Sequence, residues 1–327
     1  MHETCTGSAP SPTASTHKLA RPIHLHDSRS LDPGTGDSHL AMTALNLGKI
    51  CAMTDASRVR VGVITGVGQS RTFRGASEEH IDTPYGAPSS AIRVGEWGGK
   101  TVAVLARRGD DEQLQPHLVP YRANIWAMAS LGVQVLITTA ASSGVRDVYP
   151  PGTFVVADQI LDHTHGRAST FYDQDRAVQV ASASPFNPTL RGLAAEVLAD
   201  RHLRFRDFGT IVTINGPRFA TAAESRAHAI LGADLSNMTL MPETALANEL
   251  GMAVVNLSFI TDCESGTTPD HSDAADLDTM RRRVLQAETT FRDILADLIS
   301  RVPAGFSPQT TVPRDAIDSV LRRDVTR

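Results

Sequence analysis

Six apolar, β-rich runs set apart by helix-like stretches constrain this chain more than any other feature. They lie at 59–65, 101–105, 133–139, 152–156, 208–214 and 252–260. Runs this short with helical periods between them read as an α/β alternation. The intervening patterns predict helices over 120–131, where Trp126 and Leu131 join an Ala-rich face, over 187–200, opened by Asn187-Pro188, and over 220–231 and 242–250. A long final helix is expected from about 273 to 301, with Leu277, Met280, Val284, Leu285, Phe291, Leu295 and Leu298 as its buried stripe. Pro303, Gly305 and Pro308 end it, and 303–327 reads as a loose C-terminal tail.

Residues 1–58 are rich in Ser, Thr, Pro, His and Gly and carry no sustained period. Such a segment buries too little apolar surface to fold alone and is expected to be a disordered extension, with Met53 a second candidate start of translation. His24 and His26 sit among Ser and Pro, which favours the same reading over a metal tract. The remaining 59–302 forms one domain. A net charge of -5 argues against nucleic acid or an anionic membrane as partner and for small substrates. The three cysteines, Cys5, Cys51 and Cys263, form no CxxC pair, so neither a disulfide framework nor a metal site is expected. No signal-like or bilayer-length apolar run is present, and the expected compartment is reducing cytoplasm.

Chemistry concentrates at the strand ends. Thr261-Asp262-Cys263-Glu264 closes the run 254–260 with two carboxyl groups where a buried strand opens into a cleft. Two residues apart on extended chain, Asp262 and Glu264 share a side, suited to exchanging protons with a heterocycle; a solvated strand end is the plain alternative. The run at 61–68 enters the glycine turn Gly66-Val67-Gly68, whose backbone N–H groups can approach an anion, or which is an ordinary tight turn. Arg107-Arg108 follows another apolar strand, and alternation sends one of the two guanidinium groups into a given cleft. Thr138-Thr139-Ala140-Ala141-Ser142-Ser143-Gly144 adds hydroxyls to a third strand end, Phe219 offers a flat platform and Met238 a contact for a sugar face.

Taken in order, Gly66-Val67-Gly68, Asp82-Thr83-Pro84-Tyr85-Gly86, Ala106-Arg107-Arg108-Gly109, the 121–126 segment with Trp126, Thr138-Thr139-Ala140, Gly216-Pro217-Arg218-Phe219, Ala223-Glu224-Ser225, Asn237-Met238-Thr239 and Thr261-Asp262 resemble the methylthioadenosine phosphorylase branch of the purine nucleoside phosphorylases. The resemblance covers about residues 59–300. It implies a single α/β domain around a mixed, partly barrel-like central sheet flanked by helices, assembled as a homotrimer. It also implies attack of inorganic phosphate on C1′ of a purine nucleoside, with no cofactor or metal. By similarity Asp262 assists the leaving base at N7. Gly66, Val67, Arg107, Arg108, Thr139, Ala140 and Thr239 map to the phosphate site, and Phe219, Met238, Asp262 and Glu264 to the nucleoside. An aspartate at 262 in place of asparagine resembles recognition of 6-aminopurines, hence 5′-methylthioadenosine or another 5′-modified adenosine as substrate.

The chain departs from the family pattern at several of these positions. Val67 replaces a phosphate-binding hydroxyl, Arg108 a histidine, Ala220 a serine, Ser142 a glycine, Glu264 an aspartate and Gln179 a histidine. Removing one hydroxyl hydrogen bond from a charged ligand costs about 1.5–3 kcal/mol. Val67 and Arg108 motivate an alternative expectation, a specialised relative in secondary metabolism that hydrolyses or otherwise transforms an adenosine-derived ligand. A third expectation is a nucleoside-binding protein without turnover. The resemblance implies that the 5′ preference is set around the start of the last helix, where the stretch 266–277 is polar here, with neither His271 nor Asp276 assigned a role.

Overall fold

The computed structural model describes residues 59–66, 76–174, 176–266 and 277–325. The chain divides into a first unit, Met1–Cys51, wholly outside the described residues, and a second, Ala52–Arg327, to which everything below belongs. The expected disordered extension over 1–58, Val67 and Gly68 of the glycine turn, and His271 and Asp276 also lie outside the described residues.

The described strands are β1 (Val61–Thr65), β2 (Ser77–Glu79), β3 (Ile92–Trp97), β4 (Lys100–Ala106), β5 (Val135–Gly144), β6 (Phe154–Val156), β7 (Gln159–His163), β8 (Phe205–Arg206), β9 (Thr210–Ile214), β10 (Leu235–Asn237) and β11 (Ala253–Cys263). The helices are α1 (Tyr121–Ser130), α2 (Pro188–Asp200), α3 (Ala222–Ile230), α4 (Leu240–Glu249), α5 (Leu277–Arg301) and α6 (Arg314–Leu321). Each of the six apolar runs holds a strand, and the fold is α/β with a mixed central sheet between helices. Local chemistry sets the helix starts. Asn187 accepts from the Leu190 N–H at 3.1 Å with Pro188 in the first turn, and Thr221 and Glu224 form a reciprocal capping box.

Strand order along the main path is β2-β3-β4-β1-β5-β10-β9-β7, with β11 on β5 and then β6 and β8 beyond it. The pairings do not return to their starting edge, so the barrel-like character is not a closed barrel; the sheet forks at β5. Alternation along the central strands feeds two cores. Val61, Val63, Val135, Ile137 and Val255 pack toward α2 and α5, whereas Ile64, Leu105, Leu136 and Val254 pack toward α1, α4 and α6. β5 and β11, buried on both faces, are the near-continuous apolar runs that interior strands require.

Five strands lie outside the six apolar runs. β2, β8 and β10 have three residues or fewer and cannot display a period, and β7 is largely exposed. β3 does carry a readable signal in the turn that follows it: Gly98 and Gly99, at φ 58° and 72°, make the two-residue turn that pairs Trp97 with Lys100. A Cβ on Gly98 would collide with the Ala296 carbonyl oxygen, so the same turn brings the hairpin onto α5.

Two expectations about the C-terminal region are corrected. Leu277 and Leu285 are 42 % and 57 % exposed and lie off the buried stripe of α5, which runs through Val284, Phe291, Leu295 and Leu298. The segment after 303 is not a loose tail. α6 buries Ala316, Ile317 and Val320, and the Trp126 indole N–H donates to the Val320 carbonyl at 3.0 Å. Eight residues with Arg314, Asp315 and Asp318 outward give too short a period to read, and they are held by distant parts of the chain: Trp126 of α1, Gly251 against Ile317, and Arg176 paired with Asp315. Ile317→Ala is expected to destabilise the protein by about 2–4 kcal/mol in urea unfolding, whereas Ile230→Ala, at an 85 % exposed position, should change it by no more than about 0.5 kcal/mol.

Candidate active site

One edge of β5 is covered from Val135 to Gly144 by β11. The other is shared. β1 pairs parallel with it up to Ile64–Thr138, and β10 pairs antiparallel with it at Ser143 and Gly144. Among the described residues, Thr139–Ser142 therefore lie between the two ladders on that edge, and the carboxyl ends of β1 and β10 enter the gap from opposite directions. Such a switch point is where an α/β sheet opens a ligand crevice. Thr139, Ala141 and Ser143 share one face of β5 along this gap, and Ala141 is half-exposed there.

At one end of the gap stands an anion-binding assembly. The Gly66 N–H donates to Thr139 Oγ1 at 3.0 Å, and a Cβ on Gly66 would lie 3.4 Å from the Thr139 carbonyl and 3.8 Å from Arg107 Nη1. Ala140 is buried beside it, and Thr239, half-buried, precedes α4. Arg107 reaches this end but faces inward. Its Nε and Nη2 donate to both carboxylate oxygens of Glu243 at 2.7 Å, Nη1 donates to the Thr139 carbonyl at 2.8 Å, and Nη2 also reaches the Ile64 carbonyl at 3.4 Å. Four of the five N–H groups of a guanidinium are thereby engaged, leaving one on Nη1 beside the glycine turn. Burial would lower the Arg107 pKa, but the Glu243 charge and its hydrogen bonds outweigh that and raise it. Arg108 points elsewhere, as alternation requires: it is half-buried, its Nε donates to the Leu114 carbonyl at 2.6 Å, and burial lowers its pKa, with Glu112 and Arg281 among the nearby charges.

Asp262 occupies the other end. Ile260 pairs with Ser142 but Asp262 with Ser143, so Thr261 is an extra residue in β11, a bulge. Strict alternation would put Asp262 on the face of Ile260; the bulge moves it to the face of Ser143. Its carboxylate accepts from Ser143 Oγ at 2.6 Å and from Thr261 Oγ1 at 2.5 Å. Arg283 of α5 donates to the carbonyl of the bulged Thr261. Burial pushes the Asp262 carboxyl above its ordinary range, against the hydroxyl hydrogen bonds and Arg283, and with help from the charge of Glu264.

Glu264 does not stand beside Asp262 as a second open carboxylate. It is buried with both oxygens 3.2–3.3 Å from Nδ1 of His228 on α3, whose ring lies against that of His163. A Cβ on Gly266 would meet the Ala222 Cβ at 2.6 Å, so the strand end and α3 touch at two points. Phe219, half-buried, leads into α3. Met238 packs on the turn before it: Gly216 has φ 64°, and a Cβ there would lie 2.6 Å from the Met238 sulfur. Arg167 clamps this region, donating to the Asn215 carbonyl at 2.8 Å and to the Met241 carbonyl at 2.5 Å. Sequence reasoning alone does not reach Glu243, His228, Arg283 or Arg167. A glutamate within the apolar run 240–247 is a readable signal for Glu243; the others carry none. Two surface clefts of about 300 and 400 Å³ contain none of the predicted site residues, so strand register and hydrogen bonding define the site.

The family model described as Phosphorylase superfamily matches residues 60–299. The chain belongs to the phosphorylase superfamily. Within that superfamily it is 39 % identical over 252 residues to an S-methyl-5′-thioadenosine phosphorylase of Thermofilum pendens, covering 75 % of this chain and 93 % of the relative. It is 35 % identical over 260 residues to a purine nucleoside phosphorylase of Streptomyces coelicolor, covering 77 % and 92 %. Among solved structures, the methylthioadenosine phosphorylase of Schistosoma mansoni in complex with adenine superposes with a TM-score of 0.72 at 28 % identity, over 80 % of this chain and 96 % of that one. A variant of the adenosine/methylthioadenosine phosphorylase from the same organism, in complex with methylthioadenosine, gives a TM-score of 0.71 at 29 % identity, over 80 % and 96 %. No described helix is long and apolar enough to cross a membrane, and no group of three or more described His, Cys, Asp or Glu residues could hold a metal ion.

In this superfamily member the Arg107–Glu243 pair ties β1, β4, β5 and α4 together under the anion end. Glu243→Gln leaves a buried guanidinium without its counter-charge and should cost about 3–5 kcal/mol in chemical unfolding.

Proposed function

We propose that this protein cleaves the N-glycosidic bond of an adenine nucleoside with inorganic phosphate as co-substrate and no cofactor, releasing adenine and the sugar 1-phosphate. The substrate is 5′-methylthioadenosine or another 5′-modified adenosine. One observation carries the reading: the anion end at Thr139 and the acid end at Ser143 lie on the same face of one strand, at the two ends of the gap in its edge, about 13 Å apart at four residues' rise. A phosphate beneath a sugar at one end and a purine at the other span that edge. The superfamily membership and the relatives' names support the same choice.

Bond cleavage builds positive charge on the sugar and negative charge on the departing purine. The carboxyl of Asp262, held above its usual pKa by burial, supplies a proton near N7 and so lowers the barrier. Phe219 and Met238 flank base and sugar. Phosphate is bound by Thr139, Ala140 and Thr239 beside the Gly66 turn, and by the Nη1 hydrogen of Arg107 that is not engaged among the described residues. Arg107 acts chiefly by fixing the Ile64 and Thr139 carbonyls, and so the walls of the anion end. Glu264 acts through His228 in setting the spacing of α3 and β11. We extend the proposal to a homotrimer in the cytoplasm, to be checked by light scattering and by fractionation of the producing cells.

That engagement of Arg107 favours one further reading, in which water replaces phosphate as nucleophile. Adenine release is expected to depend on phosphate and to yield sugar 1-phosphate by mass spectrometry; equal release in phosphate-free buffer assigns hydrolysis instead. Asp262→Ala should lower kcat by about 10²–10⁴-fold. Because Asp262 acts as an acid with a raised pKa, kcat/KM should fall as pH rises through that pKa, and the alanine variant should lose this limb of the profile.

A further inference from the structure

Each carboxylate oxygen of Asp262 is held by a hydroxyl group. Oδ1 is held by Thr261 Oγ1 and Oδ2 by Ser143 Oγ, at 2.5 and 2.6 Å. The two hydroxyls differ in their other options. Thr261 is wholly buried, and its Oγ1 also lies 3.3 Å from the Ser142 carbonyl. When Asp262 is ionised, Thr261 donates to Oδ1 and Ser143 to Oδ2; when Oδ2 is protonated, it donates to Ser143 Oγ, which turns its own hydrogen outward, while Thr261 keeps Oδ1 or turns to the Ser142 carbonyl. Both protonation states are satisfied without moving a heavy atom. Among the described residues Ser143 makes no other hydrogen bond of its hydroxyl, and at 8 % exposure against 2 % for Asp262 and 0 % for Thr261 it is the outermost of the three. It also lies on the face of β5 that carries Thr139 and Ala141 along the open edge.

We propose that Ser143 is a catalytic residue whose hydroxyl relays the proton of Asp262 to N7 of the departing purine. This inference rests on the nucleoside-cleavage reading above. The Oδ2–H bond of Asp262 breaks as a new O–H bond forms on Ser143, and the original Ser143 O–H bond breaks as N7–H forms. The C1′–N9 electron pair leaves with the base while an oxygen of the nucleophile bonds to C1′. Ser143 ends unchanged. The proton that Asp262 gives up is balanced overall by the one the nucleophile loses on joining C1′. On the opposite face of β5, Ser142 Oγ donates to Ser258 Oγ at 3.2 Å, Ser258 Oγ to Asn256 Oδ1 at 2.8 Å, and Asn256 Nδ2 to Thr138 Oγ1 at 3.0 Å. These cross-links between β5 and β11 hold the relay's two strands in register.

The test compares wild type, Ser143→Ala and Ser143→Thr on 5′-methylthioadenosine and on its N7-methylated cation, whose base departs without needing a proton. On the ordinary substrate Ser143→Ala should lose about 10²–10³-fold in kcat, with KM changed less than about threefold and with Ser143→Thr recovering at least about a tenth of the wild-type rate. On the N7-methylated substrate Ser143→Ala should match or exceed the wild type. Retention of more than about a third of kcat by Ser143→Ala on the ordinary substrate overturns the relay. So does an equal loss on both substrates, which marks a structural role. Should the alanine variant fail to fold, Ser143→Cys, similar in size but a weaker donor, must show the same selective loss. A wild-type protein that releases no base from either nucleoside overturns the cleavage reading and the relay with it, a result separable from an active wild type that is indifferent to Ser143.

Discussion

A β-strand has two hydrogen-bonding edges, and the site depends on how those of β5 are occupied. β11 takes one edge along its whole length, while β1 and β10 divide the other and leave Thr139–Ser142 between them. Backbone groups outside a ladder must find other partners. Here the Thr139 carbonyl accepts from the guanidinium of Arg107, and the Thr139 hydroxyl accepts from the Gly66 N–H. The opening is thus held by polar groups already committed to its walls. Both ends of the proposed substrate refer to one strand, so their spacing is fixed by covalent rise rather than by packing between separate elements.

Buried charge is managed in the same way throughout. Arg107 and Glu243 form a two-pronged pair almost without solvent exposure, and Glu264 is turned to His228. Removing a charge from water costs several kcal/mol, so such groups persist only with partners. Asp262, by contrast, has hydroxyls rather than a cation hydrogen-bonded to its carboxylate, and among the described residues the buried Glu249 is held in a similar way by the Thr170 hydroxyl and the Phe171 N–H. That difference suits Asp262 to exchange a proton. A carboxylate clamped by a guanidinium would be held ionised, whereas hydroxyl partners reverse their donor and acceptor roles at little cost.

Much of the architecture is legible in the chain. Buried strands must be apolar, so the runs holding β1, β4, β5, β6, β9 and β11 stand out, and helix caps such as Asn187 and Thr221 act locally and can be read locally. Elements of three residues or fewer cannot be read, nor can α6, whose period is too short without the surface of α1. At the site, residue types at the strand ends are readable and their directions only in part. Alternation correctly separates Arg107 from Arg108 but pairs Asp262 with Glu264, which the structure sends to different partners.

What the sequence by itself determined is the order of elements, the strand ends that carry chemistry, and the presence of a buried acid at position 262. Apolar periodicity and capping are short-range, and they survive in any fold the chain adopts. Only the tertiary structure decided which way that chemistry faces. The bulge at Thr261 is a single extra residue with no compositional mark, yet it moves Asp262 to the opposite face of β11 and onto Ser143. Arg107 finds its counter-charge 136 residues away in Glu243, and the gap in β5 exists because two distant strands stop short of each other. Strand-edge hydrogen bonds are made by backbone common to every residue, so their pattern is written in the packing of the whole sheet.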